Sequence, residues 1–254
     1  MTRVTFPKIG EKHNFTPLIT GEVIAAGMQR IPKKVVLIYS TKFESALRRS
    51  LRLSKHGSMI GESSSFRPRN FITPDGKLLV ATLPMGAPCT AAAMEVAVAC
   101  GGKEFLILGI AGSLKREHSI ADIVLCERAI RDEGTSHHYI RDSKYVKPDK
   151  SLTSSLERGL IRGKTRFYKG TTWTIDAICA ETKEEIEHYK AEKVSTVEME
   201  AAALFAVAKK KKVKAAAVFT VSDMLGEDWS GFKAFNRSDG YQKLVEVARI
   251  FRNL

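Results

Sequence analysis

The sequence is poor in cysteine and tryptophan, with four of the first and two of the second among 254 residues. Cys89, Cys100, Cys126 and Cys179 form no C-x-x-C pair and have no histidine at metal-ligand spacing, so neither a disulfide framework nor a zinc site is expected, and they read as small core residues. Long apolar runs are missing too. The longest clean one, Phe105 to Ala111, is far below the roughly 20 residues that cross a bilayer, which excludes a membrane-spanning helix. Neither G-x-G-x-x-G nor G-x-x-x-x-G-K-[ST] occurs, so nicotinamide and ATP chemistry find no support and no cofactor or metal is expected. The opening MTRVTFPKIGEKHNF has no continuous apolar core of the secretory kind, and a cytoplasmic location is expected. No repeat of 20 to 50 residues and no low-complexity tract is found, which removes solenoids and long linkers.

What is there is apolar surface and positive charge. Hydrophobic residues make up 44%, enough to offset the entropy of ordering the chain, so a disordered protein is excluded. Lysine and arginine number 41 against 28 acidic residues, a net charge of +13. Such an excess can mark a nucleic-acid surface. Its densest cluster, Lys209 to Lys212 with Lys214, falls at the end of a helical pattern, where cations complement the helix dipole; nucleic acid is therefore not the expected partner.

Short apolar runs alternate with helical patterns. Val35–Tyr39 reads as a buried strand, followed by Phe43, Ala46, Leu47 and Leu51 at helical spacing. Lys77–Leu83 reads as a strand, and Pro88 then stands at a first helical position ahead of Ala91–Ala99, with Gly101 and Gly102 closing the helix. Phe105–Leu108, Ile123–Cys126 and Ala215–Val221 read as strands, and Val197–Ala208 and Tyr241–Phe251 as helices. Thr182 with Glu185 forms a capping-box signature. Gly57–Pro68 and Asp142–Ser154 read as loops. The expected fold is α/β: one domain over residues 1–254, with a central, mixed and largely buried β-sheet flanked by helices on both faces. Residues 1–34 form an N-terminal extension that is a candidate for a subunit interface.

Three stretches carry more polar detail than packing requires. G-I-A-G over Gly109–Gly112 follows a strand, where glycine lets the backbone approach a ligand. V-E-M-E-A-A-A-L over Val197–Leu204 puts Glu198 and Glu200 into a segment otherwise built for burial. A carboxylate there needs a partner, which sugar hydroxyls would supply, or else it caps the helix start. V-S-D over Val221–Asp223 ends an apolar strand, the place where ligands gather in open α/β sheets.

Together with R-D-E-G-T-S-H-H-Y over Arg131–Tyr139 and G-T-T-W-T-I-D over Gly170–Asp176, these stretches resemble, in order and spacing, the nucleoside phosphorylase and nucleosidase superfamily. The resemblance runs from about Val35 to the C-terminus. It implies cleavage of the N-glycosidic bond of a purine-type nucleoside with phosphate as acceptor, giving free base and ribose 1-phosphate. Glu200 would hold the ribose 2′- and 3′-hydroxyls, Met199 would pack against the sugar, and His13 would reach its 5′-hydroxyl. Asp223 would be the catalytic acid that protonates N7 of the departing base, a transfer worth roughly 10²–10⁴ in rate. Trp173, Ile178 and Ser222 would line the base. Uridine is less expected than a purine, because Thr182 and Glu184 stand in the segment where uridine phosphorylases read uracil with glutamine and arginine.

The phosphate site departs from the family pattern. Phe43 and Ile107 occupy the places where its phosphate arginines are expected, leaving Gly86, Thr90, Gly109, Lys42 and Arg48 as candidate phosphate ligands. A nucleosidase using water is the alternative, with Glu44 as the base that activates it. A noncatalytic binder of nucleosides or nucleic acid is the reading of another class. Nucleoside and inorganic phosphate are the expected partners, in a homo-oligomer, dimer or hexamer, that does not engage a membrane.

Overall fold

The computed structural model describes residues 12–57, 69–226 and 229–254. Its ten strands are β1 (Lys34–Ile38), β2 (Ser54–His56), β3 (Arg69–Ile72), β4 (Leu78–Thr82), β5 (Glu104–Ser113), β6 (Ile123–Asp132), β7 (Tyr145–Val146), β8 (Phe167–Ile175), β9 (Thr196–Glu198) and β10 (Lys214–Met224). They form one mixed sheet, as expected, and its centre is β5. Along one edge β5 pairs in parallel with β10 over its whole length, Lys214 opposite Glu104 through Met224 opposite Ser113. The other edge is divided. Its first part pairs with β1, from Lys34 opposite Glu104 to Leu37 opposite Ile107, and its last two residues, Gly112 and Ser113, pair with Val197 and Thr196 of β9.

Because β10 also pairs with β6, β6 with β8 and β8 with β9, the strands β5, β10, β6, β8 and β9 close into a ring. The strands β1, β4, β3 and β2 extend from it as an open arm. Between the two pairings, residues 108–111 of β5 have no strand partner on that edge among the described residues. The sheet parts there.

Strand alternation feeds two cores. Val35, Leu37, Phe105 and Ile107 face the layer of α3 (Ala87–Ala99) and α6 (Ala201–Lys211). Val36, Ile38, Leu106 and Leu108 face α2 (Thr41–Leu51), α4 (Lys150–Arg162) and α7 (Gly240–Asn253). The short α1 (Gly21–Ile24) packs on α3, and its Gly21 is close enough that a Cβ would lie 2.4 Å from the Glu95 carbonyl oxygen. Upstream of it Phe15, Leu18 and Ile19 stand exposed. No helix among the described residues is long and apolar enough to cross a membrane.

Several boundaries differ from the sequence reading. G-I-A-G does not follow a strand but lies inside β5, because pairing with β10 carries the ladder on through Ser113. Val197 and Glu198 are strand, and α6 begins only at Ala201, where the Glu198 carboxylate accepts the N–H groups of Glu200 and Ala201 at 2.8 Å each. Asp149 inside the expected loop is the N-cap of α4, whose serine-rich sequence hides its helical face of Leu152, Leu156 and Leu160. β8 runs through Gly170, where only glycine fits because a Cβ would lie 2.0 Å from Ser195 Oγ, and the ladder irregularity lies on its neighbour β6 between Cys126 and Arg128. Of the loop expected over 57–68, residues 58–68 lie outside the described residues. The Thr182 capping box of α5 (Lys183–Ala191) and the lysine-rich end of α6 form as read.

The end of β10 bends at a bulge. Val221 pairs with Ala111 and Asp223 with Gly112, so Ser222 is the extra residue. A Cβ on Gly112 would lie 2.4 Å from Leu225 Cδ1 and 3.1 Å from Asp223 Oδ2. Gly112→Ala is therefore expected to lower stability by about 1–3 kcal/mol through overpacking. Urea denaturation measures it, and an unchanged midpoint would show that this contact yields freely.

Candidate active site

The parted edge of β5 opens into a cavity of about 730 Å³. Leu108 through Gly112 form its floor. The β9–α6 connection contributes Glu198, Met199 and Glu200, and the β10 bulge contributes Ser222 and Asp223. Two consecutive residues of a regular strand would point to opposite faces; the bulge turns both toward the cavity.

The two glutamates divide the work of their motif. Glu198 is structural: besides the two backbone N–H groups at the start of α6, it accepts Thr174 Oγ1 at 2.5 Å. The helix start that needed a carboxylate thus has one. Glu200 remains free to face the cavity, and its Oε1 accepts the Gly86 N–H at 2.6 Å. Gly86 has a φ of 110°, a conformation that favours glycine. Burial holds both carboxyls above the usual carboxylate range, and the charge of Glu198 pushes Glu200 further in the same direction.

Asp223 is 7% exposed and both its oxygens are engaged. Ser222 Oγ donates to Oδ1 at 2.5 Å, and Trp229 Nε1 donates to Oδ2 at 2.8 Å. Glu181 stands on the same side, its carboxyl raised to about 7 by burial and then by the negative charge of Asp223. Another part of the cavity wall is aromatic: Phe43 stacks on Tyr241 with centroids 5.2 Å apart and planes 8° apart, and the Tyr241 hydroxyl donates to Ser40 Oγ at 3.0 Å.

The structure brings Asp223, Glu200, Met199, Ser222, Ile178 and Gly109 to this one cavity. The other expected site residues lie off it. Trp173 is fully buried, donates Nε1–H to Asp132 Oδ2 at 2.8 Å and packs on Tyr189, so it cannot stack on a base. Gly86 serves Glu200, and the buried Thr90 bonds Tyr39 Oη at 2.8 Å and the Gly86 carbonyl at 3.1 Å. Lys42 donates to Asn236. Glu44 follows Phe43 on α2 and so turns about 100° away from the cavity, where Arg69 Nε at 2.9 Å and Thr82 Oγ1 at 2.8 Å hold its buried carboxylate. Arg48 lies 3.8 Å from the same carboxylate and over the Phe71 ring. His13 Nε2 faces the His137 carbonyl at 3.0 Å, outside the cavity lining.

Sequence reasoning passed over Trp229, Glu181, Tyr39 and Tyr241. Trp229 lies in no apolar periodicity, and only its position six residues after V-S-D could have drawn attention to it.

The raised Glu200 carboxyl ties stability to pH. The folded chain holds a proton there that the unfolded chain, with an ordinary value of 4.5, releases. Its contribution is full below that value and is lost as pH rises toward the folded one. Glu200→Gln, which never ionises, should therefore gain stability relative to the unaltered chain between about pH 5 and about pH 8. Urea midpoints of both proteins at the two pH values check this; a constant difference would refute it.

Comparison with known proteins places this geometry. Residues 55–250 match the family model described as the phosphorylase superfamily. The guanosine phosphorylase of Halorubrum lacusprofundi is 25% identical over 173 residues, covering 68% of this chain and 72% of its own. The uridine phosphorylase of Thermococcus kodakarensis is 26% identical over 171 residues, 60% of this chain and 62% of its own. Among solved structures, purine nucleoside phosphorylase from Toxoplasma gondii in complex with immucillin-H superposes with a TM-score of 0.74 at 14% identity, over 87% of this chain and 90% of that one. The futalosine hydrolase of Helicobacter pylori superposes with a TM-score of 0.73 at 18% identity, over 88% and 98%. The chain is a member of the phosphorylase superfamily, the enzyme family of nucleoside phosphorylases and nucleosidases.

Proposed function

We propose that the chain cleaves the N-glycosidic bond of a purine nucleoside. The observation that carries this reading is the presence of Glu200 with Met199 and of Asp223 with Ser222 in one cavity of about 730 Å³, a volume suited to a small ligand. Glu200, already held by Gly86, offers its remaining lone pairs to the ribose 2′- and 3′-hydroxyls. Met199 supplies the apolar contact to the sugar. Asp223 gives its proton to N7 as the C1′–N9 pair withdraws into the base, and the sugar passes through an oxocarbenium-like state. Glu181, beside Asp223 and partly protonated near neutrality, adds a second carboxyl group for the edge of the base.

The aromatic part of the wall bears on the acceptor. Where the resemblance leads one to expect phosphate arginines, Phe43 stacks on Tyr241 and Ile107 is fully buried in the core. Lys183 is the one cation lining the cavity among the described residues, and it sits on the Glu181 side, at the start of α5. Taking a phosphate dianion out of water against an aromatic wall costs several kcal/mol without a paired cation. Water carries no such cost. The wall therefore favours hydrolysis, whereas the names of the sequence relatives favour phosphate, the second reading. An oligomer remains part of the proposal, with exposed Phe15, Leu18 and Ile19 as the surface that would meet a second chain.

Asp223→Asn should lower turnover of inosine and adenosine by about 10²-fold or more while leaving the fold intact. An unchanged rate would remove Asp223 as the acid. Glu200→Gln should impair ribonucleosides more than 2′-deoxynucleosides, and equal losses would make Glu200 structural. The acceptor is read by running the reaction in oxygen-labelled water with and without phosphate. Labelled free ribose formed at an undiminished rate without phosphate is the expected result; ribose 1-phosphate formed only with phosphate would establish the phosphorylase.

A further inference from the structure

The hydrogen bond from Trp229 to Asp223 goes beyond lining the cavity. An indole N–H donates and never accepts, so the oxygen it meets must be an acceptor in every protonation state of the carboxyl group. Trp229 Nε1 meets Oδ2 at 2.8 Å. Oδ1 faces Ser222 Oγ at 2.5 Å, and a hydroxyl can donate to an ionised carboxylate or turn and accept from a protonated one. The two neighbours are therefore not equivalent. One tolerates a proton on the oxygen it touches; the other opposes it.

We infer that Trp229 is a positioning residue for the proton of Asp223, holding Oδ2 as the carbonyl oxygen so that the transferable proton resides on Oδ1, on the Ser222 side. The inference rests on the reading of Asp223 as the acid. Several observations fit it. Leu225 forms an isolated bridge with Trp229, and the Met224 N–H donates to Ser230 Oγ at 2.8 Å, so Trp229 and Ser230 are held against the end of β10, beside the carboxylate. Phe232 meets the ring edge-on at 5.2 Å. Trp229 is nonetheless 61% exposed, which is much for a ring of that size unless its placement serves something other than burial. The β10 bulge is what makes the arrangement possible, since it aims Ser222 and Asp223 to the same side.

In the reaction, the Oδ1–H bond breaks as the N7–H bond forms, and the C1′–N9 electron pair stays with the base. Asp223 is left as a carboxylate, and the Ser222 hydroxyl rotates to donate to Oδ1 while Trp229 keeps donating to Oδ2. With water as acceptor, the proton that the attacking water loses passes to solvent and solvent returns one to the Asp223 carboxylate, so that the proton given to N7 is replaced. Without the indole N–H the proton can rest on either oxygen, and the carboxylate that forms as the proton leaves loses a hydrogen bond, so the barrier to transfer rises.

The test uses two substrates on the full chain. Inosine requires protonation at N7; 7-methylguanosine already carries a substituent and positive charge there and needs no acid. Trp229→Phe retains a ring and loses only the donor. It should lower kcat for inosine about tenfold, the worth of one hydrogen bond to a charged group, with KM little changed. Turnover of 7-methylguanosine should be unaffected, which also shows that the variant is folded. Equal losses on both substrates, or a loss confined to KM, would make Trp229 a packing residue and overturn the inference. An unaltered inosine rate in Trp229→Phe beside a large loss in Asp223→Asn would also overturn it while leaving the acid in place. If Asp223→Asn itself loses nothing on inosine, the assignment of the acid fails, and the inference with it.

Discussion

One strand edge shared by two partners sets the rest of this structure. β1 and β9 both pair with the same side of β5, at opposite ends, and cannot meet because one belongs to an open arm and the other to a closed ring. The backbone between them is left facing empty space. A parted sheet is tolerable only where the exposed groups have a use, since buried peptide groups without partners are costly. Here the gap becomes the cavity floor, and the walls come from chain segments that follow β1, β4, β8, β9 and β10.

That constraint explains why two carboxylates separated by one residue act so differently. Glu198 is still strand and points toward β8, where Thr174 and the first N–H groups of α6 absorb its charge. Glu200 sits past the strand end, turned to the cavity and steadied by the Gly86 N–H. The conflict between packing and charge that the sequence displays in V-E-M-E is resolved by giving one glutamate to the fold and the other to the ligand. R-D-E-G-T-S is likewise scaffolding: the buried Arg131 donates to Ser136, Ser143 and the carbonyls of Ile140 and Arg141, and Asp132 anchors Trp173.

Much of this could be read from the sequence. The alternation of apolar runs announced a sheet covered on both faces, and V-E-M-E with V-S-D located both ends of the cavity. Three things were hidden. The ring closure depends on β8 and β9, one with Gly170 and few apolar residues in its first half and the other three residues long, so neither shows a strand period. The reach of β5 and β10 past their apolar cores is fixed by pairing between them, which no local pattern reports. Trp173 and Trp229 have the same chemistry but opposite fates: T-T-W-T placed the first beside a motif and burial removed it from the cavity, while the second, in no motif, lines the cavity and donates to Asp223.

Ring closure has a consequence for how chains meet. A flat sheet of ten strands would present two long ladders of unpaired peptide groups, each a template on which another molecule could add a strand. Here one end of the sheet folds back onto its own middle. The open arm ends in β2, which among the described residues is three residues long, largely exposed, and carries Lys55 at its centre. An approaching strand finds a short, charged edge in place of a long apolar one. Association through side chains stays open to this protein, while uncontrolled growth of its sheet from molecule to molecule is held back by the same closure that shapes the cavity.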